Sequence, residues 1–256
     1  DETNQEAYDN YLQAMRIGEA VSLPIMICED GFITSHAIEN IELEDTAQVR
    51  KFVGEYHPEH ALLGREKPMA VGAYATPTYY IESKRLQAQA MLDAKQVILD
   101  VAAEFKKWTG RSYDLIEKYQ MDDAEEAIVI IGSSAGTAKE TVNEMRAQGH
   151  KVGLIKIRAF RPFPGAEITA ALKNVKAYAV MDKADSFNGH CGPLFAEVAA
   201  AAMVAGVTTP KVINYIYGLG GRDVRVESIA HVFTELENIA KTGNVGETYR
   251  YLDVRE

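Results

Sequence analysis

The sequence is poor in cysteine and in positive charge, and it lacks any long apolar run. Its 256 residues include two cysteines, Cys28 and Cys191, far apart and without a CxxC neighbour. An iron–sulfur cluster usually takes four cysteine ligands, so this chain cannot hold one alone. We expect both thiols to be buried, in a reducing compartment.

The missing apolar run excludes a further class. No stretch reaches the roughly 18 apolar residues of a membrane span. The opening DETNQEAYDN is acidic and polar, unlike a signal peptide. These features predict a cytoplasmic protein with no membrane partner.

Acidic residues outnumber basic ones by 37 to 27, and the formal net charge is -10. A protein that binds the nucleic-acid backbone needs a basic surface, so the composition argues against a nucleic-acid partner. A small anion can still bind to local backbone amides. With 47% hydrophobic and 25% charged residues, the chain has the composition of an ordinary globular protein.

The second half of the sequence alternates short apolar strands with helices. Strands are predicted at 128–131, 152–157, 177–182 and 212–217, and helices at 139–148, 166–172, 194–205 and 226–239. This alternation is typical of a parallel sheet with both faces covered. We therefore predict an α/β domain at 123–242 and a tail at 243–256.

Residues 1–122 give a different pattern. Their apolar spacing predicts helices at 5–17, 46–53, 80–107 and 112–119, and a single strand at 24–28. One strand does not form a sheet. We therefore expect its sheet partners to belong to another chain or to a segment that this sequence does not contain.

Two polar segments follow predicted strands, where α/β proteins place ligands. The first holds Asp30, Thr34, Ser35 and His36, which either bind a ligand or only cap a turn. The second, GSSAGTAKE from residue 132, either binds an anion at a helix N-terminus or is a plain turn. It has neither GxGxxG nor GK[ST] spacing.

Three further segments are ambiguous. Asp182, Asp185, His190 and Cys191 suggest a metal but match no zinc module, so we predict a loop that opens the next helix. The histidines of HPEH, at 57 and 60, are not expected to bind metal. In KIRAFRPFP, two arginines either clamp a carboxylate or phosphate or pair with an acidic surface; they are Arg158 and Arg161.

The glycine-rich turn YGLGGRDV follows the last predicted strand. It either cradles a phosphate or allows another backbone to approach closely. We expect close packing at the glycines, and we expect the charged pair to fix the loop against the first domain or a partner. The residues are Gly218, Gly220, Gly221, Arg222 and Asp223.

Three of these segments, taken in series, resemble the 2-oxoacid:ferredoxin oxidoreductases, and within them the α subunit of pyruvate:ferredoxin oxidoreductase. They are DGFITSHAIE, KIRAFRPFP and YGLGGRDV, and the likeness extends over nearly the whole chain. The first supplies Asp30, Gly31, Phe32, Thr34, Ser35 and His36. One departure is Ala37, where the family often has a glutamate.

The resemblance implies a fold and a chemistry. The fold is the end of a thiamine-diphosphate pyrimidine-binding domain, followed by a transketolase C-terminal-like domain. The chemistry is oxidative decarboxylation of pyruvate with coenzyme A, and electrons pass through [4Fe-4S] clusters to ferredoxin. Thiamine diphosphate with Mg²⁺ and the clusters are expected on other chains or missing segments. The expected partners are a β subunit with the cofactor and a cluster, γ- and δ-type subunits, and ferredoxin.

The resemblance assigns no catalytic residue to this chain, because the family's catalytic glutamate, arginine and threonine lie upstream of the DGF segment. We therefore expect the C-terminal two-thirds of an α subunit, inactive alone, with its three motif loops at subunit or domain interfaces. Two alternatives stay open: a non-catalytic docking subunit of such a complex, and a small-anion-binding α/β domain.

Overall fold

The computed structural model describes residues 1–58, 63, 66, 72 and 74–255. Its chain divides into two compact units. The first, here called the sheet domain, comprises Asp1–Ala7, Cys28–Asn40 and Tyr113–Glu256. The second, the helical unit, comprises Tyr8–Ile27 and Ile41–Ser112. His60 of the HPEH segment lies outside the described residues.

The sheet domain contains a six-stranded sheet in the order β1-β3-β2-β4-β5-β6. Strand β1 pairs antiparallel with β3, and every other pair is parallel. The strands are β1 (Ile116–Tyr119), β2 (Glu126–Ile131), β3 (Val152–Ile157), β4 (Ala177–Asp182), β5 (Lys211–Ile216) and β6 (Tyr249–Tyr251).

Seven helices accompany the strands within the described residues. They are α1 (Asn4–Val21), α2 (Thr46–Val53), α3 (Tyr80–Thr109), α4 (Ser134–Ala147), α5 (Gly165–Leu172), α6 (Pro193–Val204) and α7 (Val226–Thr242). None of the helices in this part of the chain is both long and apolar enough to cross a membrane.

Helices cover both faces of the sheet, as the alternating pattern predicts. On one face α4 and α7 pack against the strands, with Val142 and Phe233 in the core. On the other face α5 and α6 do so, with Leu172 and Val198 in the core. Strand side chains alternate between the two faces, so a strand covered on both sides reads as a continuous apolar run. The predicted α/β class with a parallel sheet is confirmed.

Two predictions of secondary structure are wrong. Residues 24–28 form no strand, and Met26 is 86% exposed. No strand among the described residues pairs with this segment, and an extended segment without a paired neighbour is not a strand of a sheet. The inference of missing sheet partners therefore loses this support. Residues 112–119 form no helix, because Ile116–Tyr119 adds to the edge of the sheet as β1.

The compact units also differ from the predicted boundaries. The sheet domain includes residues 1–7 and 28–40, which the sequence pattern assigned to the first domain. The predicted tail at 243–256 contributes β6, which pairs with β5. The two compact units are therefore defined by which segments contact the sheet. A local sequence pattern does not reveal such contacts between distant segments.

In the helical unit, α2 and α3 match the predicted helices closely. The Asp45 side chain caps α2 by accepting hydrogen bonds from the amides of Ala47 and Gln48, at 3.0 and 3.1 Å. Helix α3 ends at Gly110, whose φ of 80° suits glycine. Near this end Phe105 packs edge-on against Phe52, with ring centroids 5.4 Å apart.

Candidate functional site

The carboxyl ends of β2 and β4 mark the natural ligand position of the sheet domain. The chain leaves β2 for β3 on one side and later returns to β4 on the other side, so the connections diverge there. The helices that follow these strands, α4 and α6, lie on opposite faces. A crevice at such a point is where α/β sheets bind ligands. We call the gap between these two strand ends the switch-point crevice.

Asp30 of the DGF segment occupies this crevice. Its Oδ2 accepts a hydrogen bond from the hydroxyl of Ser133, which follows β2 and precedes α4. Its Oδ1 accepts from the amide and the hydroxyl of Thr34, at 3.0 and 3.1 Å. Lys183 follows β4 and places its Nζ 3.6 Å from Oδ2. The crevice thus holds a carboxylate from the chain itself.

These contacts change the acidity of Asp30. Partial burial alone raises its pKa, but the hydrogen bonds from Ser133 and Thr34 and the charge of Lys183 outweigh burial. The pKa of Asp30 therefore lies below its usual value, and the side chain is ionised at neutral pH. The start of α4, which the sequence left open as an anion site or a plain turn, carries this internal anion.

Beyond Asp30 the segment turns outward. Thr34 is buried, whereas Phe32 is 77% exposed and has a φ of 76°, which is rare for a residue with a side chain. The Phe32 amide donates to the Ser35 hydroxyl at 3.0 Å. The ring of His36 stacks on that of Phe32 with centroids 4.8 Å apart, and Nδ1 of His36 lies 2.7 Å from the Ser35 hydroxyl oxygen. Asp30 and Thr34 therefore anchor a loop whose Phe32 and His36 face solvent.

Tyr217, directly after β5, is buried near the same edge of the sheet. Burial raises the pKa of its hydroxyl to about 12. The neighbouring Ser134 hydroxyl lowers this pKa in part, and the charges of Asp182 and Asp30 raise it further. Its geometry falls short of a hydrogen bond to any of the described residues, which is uncommon for a buried hydroxyl.

The two arginines of KIRAFRPFP have separate neighbours within the chain. Arg158 lies over the ring of Tyr113, 4.9 Å from its centroid. Arg161 forms an ion pair with Glu197 of α6 at 2.5 Å. The sequence left two roles open for these arginines, binding of a carboxylate or phosphate and pairing with an acidic surface. Arg161 pairs with an acidic residue, and that residue belongs to this chain.

The glycine-rich turn needs its glycines for backbone conformation. Gly218, Gly220 and Gly221 have φ values of 66°, 68° and 81°. A Cβ at Gly218 would lie 3.3 Å from Lys183, whereas nothing in the described chain lies within 4 Å of one at the other two positions. Close approach of another chain at these two glycines stays a prediction.

The charged residues of this turn have different surroundings. Arg222 donates from its guanidinium to the main-chain carbonyl of Asp253, so it fixes the loop against the C-terminal segment of the sheet domain. Asp223 is exposed. Contact of either residue with a partner chain stays a prediction.

Asp182, considered above as a metal ligand, caps a helix. Its carboxylate accepts the amides of Leu194 and Phe195 at the start of α6, at 2.6 and 3.1 Å. It also accepts from the Asn214 amide group at 2.9 Å. Burial raises the pKa of Asp182 above its usual value, although these hydrogen bonds lower it in part. No three His, Cys, Asp or Glu side chains in the described ranges gather as a metal site.

Sequence reasoning missed a buried charge cluster around Lys156 of β3. Lys156 Nζ contacts Glu2 at 2.6 Å, Glu6 at 3.1 Å and Glu117 at 3.0 Å. Lys139 adds a second cation, 2.8 Å from both Glu2 and Glu117. The one signal in the sequence was a lysine within an otherwise apolar strand. The cluster ties residues 2–6 to the sheet.

Two family models match this chain. Residues 1–103 match "Pyruvate flavodoxin/ferredoxin oxidoreductase, thiamine diP-bdg", and residues 124–229 match "Pyruvate:ferredoxin oxidoreductase core domain II". Together with the doubly covered sheet, the two matches define one class, the oxidoreductases that carry a thiamine-diphosphate-binding domain. The chain belongs to the pyruvate:ferredoxin oxidoreductase family.

Individual relatives differ in their named substrates. Pyruvate synthase subunit PorA of Thermotoga maritima is 42% identical over 258 residues, covering 100% of this chain and 64% of that protein. Ketoisovalerate oxidoreductase subunit VorA of Pyrococcus abyssi is 40% identical, covering 95% of this chain and 62% of that protein. The chain therefore spans less than two thirds of the length of either relative.

Among solved structures, the chain is similar to a 2-oxoglutarate:ferredoxin oxidoreductase from Magnetococcus marinus. It covers 64% of this chain and 24% of the matched chain, at 19% identity and a TM-score of 0.40. A TM-score this low does not indicate a shared fold.

Proposed function

We propose that this chain is part of the α subunit of a thiamine-diphosphate-dependent 2-oxoacid:ferredoxin oxidoreductase whose substrate is pyruvate. The reaction is oxidative decarboxylation with coenzyme A to acetyl-CoA and CO₂, with electrons passing to ferredoxin, or the reverse synthesis. One observation carries the proposal. The two family models match in order along one chain, and Asp30 of the first matched segment binds Ser133 of the second.

The described residues do not fit the whole cofactor set. Two cysteines cannot ligate a [4Fe-4S] cluster. The helix N-terminus at the switch-point crevice, a natural diphosphate position, already holds the Asp30 carboxylate. We therefore infer that thiamine diphosphate with Mg²⁺ and the clusters are held mainly elsewhere in the assembly, on a β subunit and γ- and δ-type subunits. No chemical step is assigned to a residue of this chain.

We further propose that the DGF loop lies at a subunit interface. Phe32 combines a rare backbone conformation with high exposure, and strained backbone of this kind is concentrated at functional sites. Aromatic residues are also enriched in protein interfaces. The arginines of KIRAFRPFP and the turn at residues 218–223 lie at strand ends on the same sheet, and we propose an interface role for them also.

The proposal is tested by anaerobic purification of the tagged chain from its own cells. We expect co-purifying subunits with thiamine diphosphate and iron–sulfur clusters, and reduction of ferredoxin or viologen that requires both pyruvate and coenzyme A. The isolated chain should be inactive. A panel of pyruvate, 2-ketoisovalerate and 2-oxoglutarate decides the substrate.

Two results would contradict it in different ways. A colourless complex without 2-oxoacid activity would favour the alternative of a non-catalytic docking subunit. Equal or higher activity with another 2-oxoacid would retain the enzyme class and refute pyruvate as the substrate.

The interface proposal is tested separately with Phe32→Ala. We expect loss of co-purifying subunits, while the thermal stability of the isolated chain is retained. Met203→Ala is the matched control, because Met203 is 79% exposed near the end of α6, away from the carboxyl edge of the sheet. Equal recovery of the complex with both variants would refute an interface at Phe32.

A further inference from the structure

The switch-point crevice is built as a receptor for a carboxylate. The Asp30 side chain accepts hydrogen bonds from the Ser133 hydroxyl and from the amide and hydroxyl of Thr34, and Lys183 lies 3.6 Å away. It also lies at the start of the 14-residue helix α4, whose dipole favours negative charge. Donors of this kind bind any carboxylate that fits between them.

A second observation points to a ligand in the same place. The Tyr217 hydroxyl is buried near Ser134 and has no hydrogen-bond partner in the described part of the chain. Such a group costs free energy unless it is satisfied. Ser134 is the first residue of α4, so the hydroxyl lies at the same helix N-terminus as the Asp30 carboxylate. It can donate a hydrogen bond to a group bound there.

The loop after Asp30 depends on this anchor. A Cβ at the adjacent Gly31 would meet no atom of the described residues within 4 Å, so these residues do not pack closely against the loop at that point. Phe32 nevertheless keeps a positive φ. A rare backbone conformation persists only where its surroundings determine it, and here those surroundings include the Asp30 contacts.

We propose that the switch-point crevice is a binding site for one carboxylate group, that Asp30 fills it as an internal ligand, and that a small free carboxylate binds there when the Asp30 side chain is absent. Occupancy of the crevice by Asp30 fixes the loop 31–36. This site is independent of the proposed enzymatic function, because it concerns only residues of the sheet domain.

Chemical rescue of Asp30→Ala by acetate tests the site on the full chain. We expect a lower melting temperature for the variant and a saturable increase as acetate replaces chloride at constant ionic strength. Asp45→Ala is the matched control, since Asp45 also caps backbone amides, but on α2, which has no buried residues. Acetate should give this control no saturable increase.

Tyr217→Phe separates binding from general stabilisation. In the Asp30→Ala background it should weaken acetate binding by roughly tenfold, as expected for one lost hydrogen bond to a charged group. In the wild-type background it should leave the melting temperature unchanged or higher, because no hydrogen bond of full geometry to a described residue is lost.

Three outcomes would overturn the proposal. They are equal acetate effects on the Asp30 and Asp45 variants, no saturation, and an acetate affinity that is insensitive to Tyr217→Phe. If Asp30→Ala does not fold in chloride, the yield of soluble protein on refolding becomes the readout. A higher yield in acetate than in chloride supports the site, and equal yields refute it.

Discussion

The sheet domain and the helical unit use apolar residues in opposite ways. Strands β2 and β4 are buried almost throughout, and helices cover both their faces. Helix α3 has 30 residues but only five buried ones, all between Ala94 and Phe105, and Leu86 and Leu92 are 72% and 64% exposed. Helix α2 has no buried residue.

This difference indicates which region of the chain buries its apolar residues against its own residues. Helical stability in proteins comes mainly from packing an apolar face, and the first half of α3 leaves much of its apolar surface in solvent. Large exposed apolar surfaces commonly mark interaction sites. The sheet domain therefore carries its own core, and the helical unit has the surface expected of a part that another chain covers, in keeping with the proposed subunit role.

The largest expected effect comes from the core of the sheet domain. Phe233→Ala should lower the free energy of unfolding by about 4 kcal/mol, because Phe233 is fully buried in α7. Leu86→Ala, its counterpart in α3, should change it by less than about 0.5 kcal/mol. Urea unfolding of both variants measures the contrast. Similar losses would refute the difference in packing between the two regions.

The next effect concerns buried charge. Lys156→Ala should cost roughly 3 kcal/mol, because it leaves Glu6 buried without its main cation. Arg16→Ala in the helical unit breaks a more exposed pair with Glu104 and should cost at most about 1 kcal/mol. Guanidinium unfolding midpoints give the comparison. A larger loss for Arg16→Ala would contradict it.

The next contrast is between a glycine in close contact with its neighbours and a glycine with open space around it. A Cβ at Gly192 would lie 2.3 Å from Cγ of Asp182, so Gly192→Ala should cost about 2 kcal/mol. The added methyl group of Gly31→Ala would meet no atom within 4 Å in the part of the chain that the structure describes, so this change should be neutral or slightly stabilising. Thermal melts of the two variants measure this contrast. Equal melting temperatures would contradict the close contact between Gly192 and Asp182.

The smallest effect is a pH dependence of the Lys156 cluster. Burial raises the pKa values of Glu6 and Glu117, but other contacts outweigh burial, so both lie below the usual 4.5. Lys156 and the Glu2 amide act on Glu6, and Lys139 and Lys156 act on Glu117. Depressed carboxyl pKa values stabilise the fold above that value and lose this effect as pH falls through the folded values. The wild type should therefore lose stability on acidification below pH 4.5. Lys156→Ala should lose less, since Glu6 then gains from protonation; a steeper loss would contradict this.

The sequence pattern predicts most of the sheet domain because each buried strand is a continuous apolar run and each helix has its own period. The pattern fails where contacts between distant residues determine whether a segment forms a strand. Ile25–Ile27 is apolar but finds no strand neighbour, whereas Ile116–Tyr119 finds β3. A local pattern cannot distinguish these two outcomes.

The candidate site divides in the same way. Asp30 and Ser133 both lie in polar segments that follow predicted strands, yet their contact joins positions 103 residues apart. The cap role of Asp182 and the partners of Lys156 likewise depend on residues distant in sequence. The sequence indicates which residue types matter at the site, but it does not predict which of them contact each other.

Hydrogen exchange of backbone amides, on the isolated chain and on its purified complex, tests the contrast between the two regions most directly. Amides of β2 and β4 should exchange slowly in both samples, because they open only on global unfolding. Amides of α2 and the first half of α3 should exchange much faster in the isolated chain and become protected in the complex. Equal protection of both regions in the isolated chain, or no change on assembly, would contradict the account.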